Sequence, residues 1–158
     1  MERPSRDEVF LDVAEVVSRR GTCARRKVGC VLVDHYGHVL STGYNGPPHN
    51  WVHCIDTPCP GASAASGTSL ELCEAIHAEQ NALLQCKNVY KINTCYCTHS
   101  PCIHCTKLLL NTGCRFIFFT HQYSHTEAKG LWLKDNPVWA ILSGERDRAS
   151  AREWNGEY

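Results

Sequence analysis

"INTCYCTHSPCIHC", residues 92–105, decides the fold class. Residues 92–99 combine β-branched, aromatic and small apolar side chains, the composition of a buried strand. Pro101 follows at once. It suits the first turn of a helix, and the helix it opens carries Cys102 and Cys105 three apart on one face. A strand that runs straight into a helix is the repeating step of an α/β domain.

The chain continues that alternation in both directions. Val9, Phe10, Val13, Val16 and Val17 recur at helical spacing and predict a first helix over 5–20. "VGCVLVD" (28–34) reads as a strand buried on both faces, "YGH" (36–38) as a tight turn, and "VLSTGYN" (39–45) as the antiparallel partner. A helix from about Ile76 precedes the strand at 92–99. Beyond it come a strand "CRFIFFT" (114–120), a short polar helix around 124–131 and a weak strand near "PVWAIL" (137–142). Together these elements predict a three-layer α/β/α sandwich around one mixed five-stranded sheet. With 158 residues and no repeat or linker, one domain over 1–158 is the expectation.

Composition removes several classes of function. Sixteen basic and sixteen acidic side chains give a formal net charge of zero, which speaks against a nucleic-acid partner. No apolar run nears the roughly 20 residues that span a bilayer, and the first 20 residues read as a charged amphipathic helix, not a signal peptide. The expected location is cytoplasmic, without membrane partners. In that setting eleven cysteines point to metal ligands or reduced thiols, not disulfides.

The cysteines of the opening stretch carry the chemistry. Cys102 and Cys105 stand at a helix start, whose positive end favours thiolates, and read as two ligands of one metal. His77, in "CEAIHAEQNALLQC" (73–86), can supply the third. Three protein ligands and an open position make the catalytic kind of zinc site, in which the pKa of bound water falls to about 7. Glu79 lies two residues from His77, a spacing at which helical side chains do not face each other. The two therefore divide the work, His77 coordinating and Glu79 moving protons.

H-x-E followed by P-C-x-x-C is the signature of zinc-dependent cytosine and adenine deaminases. "STGYNGPP" (41–48), "HAEQNAL", "THSPCIHC" and "FFTHQY" (118–123) stand in an order that resembles the deoxycytidylate deaminases of phages and bacteria, over roughly residues 7–126. The resemblance implies a cytidine deaminase-like fold and conversion of dCMP to dUMP and ammonia. It implies zinc on His77, Cys102 and Cys105, with Glu79 protonating N3 of the ring while water attacks C4. It places Ser100 and Ala78 at the base, Ser100 accepting from the departing amino group through its carbonyl, Asn45 at the sugar and base, and Tyr123 and Arg25 at the deoxyribose and phosphate. Arg25 is chosen from the cluster Arg25, Arg26 and Lys27. Similar enzymes are hexamers, activated by dCTP and inhibited by dTTP near the "GYNG" segment, and such a triphosphate effector would bring Mg. From about residue 130 the tail departs from the family pattern.

The remaining cysteines divide in two. Cys95 and Cys97 share one strand face, and with Cys30, Cys86 and Cys114 they read as small buried hydrophobes. Cys23, Cys54, Cys59 and Cys73 flank or occupy a long proline-rich loop at about 45–73, where four thiolates would close a second, structural zinc site. Phage members of the resembled family look similar, with a second zinc; His49 and His53 are the rival ligands. His104, between two ligands, should point away from them, and His121 and His125 read as solvated. Three alternatives stay open: a tRNA adenosine deaminase, a deaminase of a 5-modified or triphosphate deoxycytidine nucleotide, and a zinc-stabilised assembly protein. Glu79 argues against the last, since a purely structural site has no use for it.

Overall fold

The computed structural model describes residues 3–65, 67–123 and 127–142. The first helix, α1 (Arg6–Ser18), begins where Ser5 and Glu8 cap each other: the Glu8 amide donates to Ser5 Oγ at 3.2 Å and the Ser5 amide to Glu8 Oε2 at 2.6 Å. Its buried face differs from the expected stripe. Leu11, Ala14 and Ser18 turn inward, whereas Val9 and Val16 are 40% and 56% exposed. The reason is proximity. A side chain at Gly29 would strike the Ala14 carbonyl, so α1 rides too close to the sheet for large residues at that contact.

The sheet has the order β2-β1-β3-β4-β5, with β1 (Gly29–Val33), β2 (Val39–Tyr44), β3 (Thr94–His99), β4 (Phe116–His121) and β5 (Val138–Ile141). β1 pairs antiparallel with both β2 and β3, Cys30 facing Cys97, while β3–β4 and β4–β5 are parallel. β1 is buried along its whole length, as its apolar run requires. The parallel steps carry α3 (Ile103–Leu110) and α4 (Glu127–Trp132) as their crossovers.

α1 covers one face over Val31, Val33, Tyr96 and Phe118. The helix α2 (Ala78–Gln85), α3 and α4 cover the other over Cys30, Leu32, Ile117 and Phe119. This is the expected three-layer sandwich on a mixed five-stranded sheet. A side chain at Gly43 would collide with the Ala78 carbonyl and the Ala82 amide, so α2 lies directly on β2. Cys86 is only partly buried, at the margin of this core.

Two helix starts shift from their expected places. Ile76 forms a bridge with Gly46 and leaves the helix to begin at Ala78, with His77 as its cap. Pro101 precedes the cap of α3: the Cys102 sulfur accepts from the Cys105 amide at 3.5 Å, which makes Cys102 the capping residue. Among the described residues no helix is long and apolar enough to cross a membrane. The expected helix start at 124, His125 and the tail from 143 lie outside the described residues.

Candidate active site

Two helix starts meet beyond the end of β3. His77 caps α2 and donates its amide to Gln80 Oε1 at 2.8 Å; Cys102 caps α3. That pairing brings His77 Nδ1 to 3.5 Å from the Cys102 sulfur and 3.4 Å from the Cys105 sulfur. All three ligand atoms lie within 4.8 Å of one another, a soft N and S donor set of the kind zinc takes. His104, one turn position between the two sulfurs, is exposed, as expected.

The electrostatics of the group suit a cation. Hydrogen bonding from Cys105, and then from His77, holds the Cys102 thiol down at about 3. The Cys102 sulfur in turn raises the His77 imidazole and pushes the Cys105 thiol well up. Glu79, at the second position of α2, is 4% exposed. Burial lifts its carboxyl to about 7, against the opposing pull of His77.

One cleft is lined by Asn45, His77, Ala78, Glu79, Ser100 and Tyr123 and also by Arg25, Arg26 and His99. Every residue expected at the substrate therefore faces the same space. Several are already engaged. Asn45 clamps the segment before β1, accepting from the Val28 amide at 2.8 Å and donating to the Arg26 carbonyl at 2.7 Å. Arg25 donates to the carbonyls of Gly61, Ala65 and Thr68 at 3.3, 2.8 and 3.1 Å, and so ties the long loop down. Ser100 Oγ accepts from the Tyr123 amide at 2.6 Å.

Arg26 and His99 were not expected in this wall. The Arg26 guanidinium sits 5.0 Å above the Tyr123 ring centre. His99 packs against His121 at 5.0 Å between ring centres, and burial, then Arg26, then His121 hold its imidazole down at about 4. The only signal for His99 was its place at the end of β3. Nothing local distinguishes Arg26 from its two neighbours.

The long loop folds back toward the same cleft. Cys23, Cys54 and Cys59 are buried and Cys73 half-buried; the Cys59 amide donates to the Cys54 sulfur at 3.4 Å. The Glu74 amide, and then the Cys54 and Cys73 sulfurs among others, lower the Cys59 thiol. His49 and His53 are both exposed. Among the described residues, the groups of ligand atoms that close within 4.8 Å are His77 with Cys102 and Cys105, and Cys30 with Cys95 and Cys97; the four loop cysteines do not reach that spacing.

Comparison with known proteins follows the same lines. The cytidine and deoxycytidylate deaminase zinc-binding region matches residues 4–121. The chain is 34% identical over 135 residues to the deoxycytidylate deaminase of Saccharomyces cerevisiae, a match covering 84% of the chain and 43% of the relative, so it spans less than half the length of that protein. It is 38% identical over 129 residues to the deoxycytidylate deaminase of Mycobacterium phage D29, covering 77% of the chain and 99% of the phage protein. The crystal structure of the dCMP deaminase of cyanophage S-TIM5 with dCMP and dUMP is similar with a TM-score of 0.70 at 26% identity, over 88% of this chain and 98% of that one.

Proposed function

The chain belongs to the cytidine and deoxycytidylate deaminase family, and on that premise we propose that it is a zinc-dependent enzyme converting dCMP to dUMP and ammonia, a supply of dUMP for thymidylate synthesis. The observation that carries this reading is the meeting of His77, Cys102 and Cys105 at a cleft that His77, Cys102 and the buried carboxyl of Glu79 line. The likeness to deoxycytidylate deaminases of phage D29 and cyanophage S-TIM5 across nearly their whole length supports the choice of substrate.

His77, Cys102 and Cys105 would hold the zinc, which when bound would supply a hydroxide nucleophile at neutral pH. Glu79 takes one proton from water and delivers it to N3 of the cytosine, then takes the second from the hydroxyl added at C4 and carries it to the amino group, which leaves as ammonia. Ala78 and the Ser100 carbonyl flank the base, the carbonyl accepting from the departing amine. Asn45 faces the sugar, and Tyr123 and Arg25 the deoxyribose and phosphate; Arg25 serves as well through the loop carbonyls it holds.

On the same reading Cys23, Cys54, Cys59 and Cys73, which are not grouped within 4.8 Å here, would draw together around a second, structural zinc. The burial of Cys23, Cys54 and Cys59 and the partial burial of Cys73, against the exposure of His49 and His53, support an all-cysteine set. Resemblance to similar enzymes is what supports a cytoplasmic homo-oligomer, a hexamer being favoured, with dCTP (bound with Mg) and dTTP as the effectors to test. A turnover assay on dCMP, deoxycytidine, dCTP, 5-substituted dCMP and adenosine in tRNA tests the reading. Turnover is expected on dCMP. Turnover of tRNA alone would replace it with a tRNA deaminase, and zinc binding without turnover of any substrate would favour an assembly protein.

A further inference from the structure

The sulfurs of Cys30, Cys95 and Cys97 lie within 4.8 Å of one another, as tightly grouped as the ligand atoms of the active site. Cys30 and Cys95 are 3.7 Å apart and Cys95 and Cys97 3.5 Å. Strand register brings them together: Cys30 on β1 faces Cys97 on β3, and Cys95 stands two residues back on the same face of β3. None has any exposed surface, and Leu32, Ala78, Ala82 and Leu109 share their core.

Small hydrophobes filling space need not point three sulfurs at one spot. Bonds of about 2.3 Å from three sulfurs to a common ion set the sulfurs roughly 4 Å apart, close to the spacing found. The set offers sulfur only, which selects a soft ion, and three ligands where structural zinc takes four. Charge then chooses among soft ions. Three thiolates around a monovalent or divalent ion leave net negative charge in an apolar core, a costly arrangement.

We propose that Cys30, Cys95 and Cys97 form a trithiol site for a trivalent thiophilic ion of the arsenite and antimonite class. Arsenous acid, As(OH)3, exchanges its three As–O bonds for three As–S bonds. Each departing hydroxyl takes one thiol proton and leaves as water. Arsenic stays trivalent, no oxidant or reductant is consumed, and the product is neutral, as the apolar surroundings require.

The test uses zinc-replete protein incubated with arsenite until the amides of β1 and β3 have fully exchanged in a parallel deuterium sample, so that slow entry cannot mask binding. Native mass spectrometry should then show one arsenic gained and three hydrogens lost per chain with zinc retained, and arsenic K-edge absorption should show three sulfur neighbours. Cys97→Ala and, separately, Cys30→Val should each weaken retention by more than the roughly 10- to 100-fold that losing a supporting contact costs a metal site. Their zinc content and circular dichroism report whether they fold. Arsenic retained equally by both variants, arsenic bound only as zinc is lost, fewer than three sulfur neighbours, or no binding at all would each overturn the proposal. The wild-type spectrum decides even where a variant does not fold.

Discussion

Burial sets the character of both titrating groups that matter most in the cleft, Glu79 and His99. The Glu79 carboxyl, lifted to about 7, can both hold and release a proton near neutrality, as a proton carrier must. Glu79→Gln is expected to keep its zinc and fold while losing about 10²- to 10⁴-fold in turnover of dCMP, the usual worth of a positioned acid/base. Normal turnover in a zinc-replete variant would remove Glu79 from the chemistry. His99 is depressed from 6.5 to about 4, so the fold prefers it neutral. Its contribution to stability is whole above about pH 6.5 and is lost as the pH falls through about 4. His99→Gln should flatten the acid limb of stability across that window, read by urea unfolding, though only in part because the ring is partly solvated. An acid limb as steep as the wild type's would contradict this. His77, Glu79, Cys102 and Cys105 could be singled out because H-x-E and P-C-x-x-C are short motifs that resemble a known family's, and the fold brings His77, Cys102 and Cys105 together. Arg26 was not, because three adjacent cations look alike until the turn before β1 aims each one.

At the scale of elements, the active site depends on how closely α2 lies on β2, since His77 caps that helix and Glu79 rides its first turn. Gly43→Ala would press a methyl group into the Ala78 carbonyl and the Ala82 amide. It should cost about 1–3 kcal/mol by denaturant unfolding, as overpacking does, and lower dCMP turnover with it. Wild-type values for both would mean that α2 can move away without consequence. Element types were readable from period and composition, whereas element ends were not. Ile76 was lost to a bridge with Gly46, and Cys102 became a cap because its sulfur reaches the Cys105 amide.

For the whole molecule, the long loop is joined to the body by Arg25, by the Ile55 amide on the Thr22 carbonyl at 3.1 Å, and in the proposed function by a second zinc. Cys59→Ser should therefore lower zinc from two to one per chain by elemental analysis and lower the thermal midpoint, with activity falling only as the loop loosens. A wild-type protein with one zinc and freely alkylated Cys54 and Cys59 would leave the loop to Arg25 and its backbone contacts. At the far edge of the sheet, Trp132 is fully buried and donates to the Val138 carbonyl at 2.8 Å. Trp132→Ala should cost about 3–5 kcal/mol, measured by chemical denaturation, and a cost near zero would show that α4 does not anchor β5. The sequence by itself determined the layered α/β class and the mixed sheet and offered the four residues of the catalytic reading, because period and the short motifs H-x-E and P-C-x-x-C are local properties. Only the tertiary structure decided the strand order, the inward face of α1, the loop-tying role of Arg25 and the meeting of Cys30 with Cys95 and Cys97. Those depend on groups far apart in the chain, 65 residues for Cys30 and Cys95 and 40 for Arg25 and Ala65, whose approach is set by register and close packing that no local pattern records.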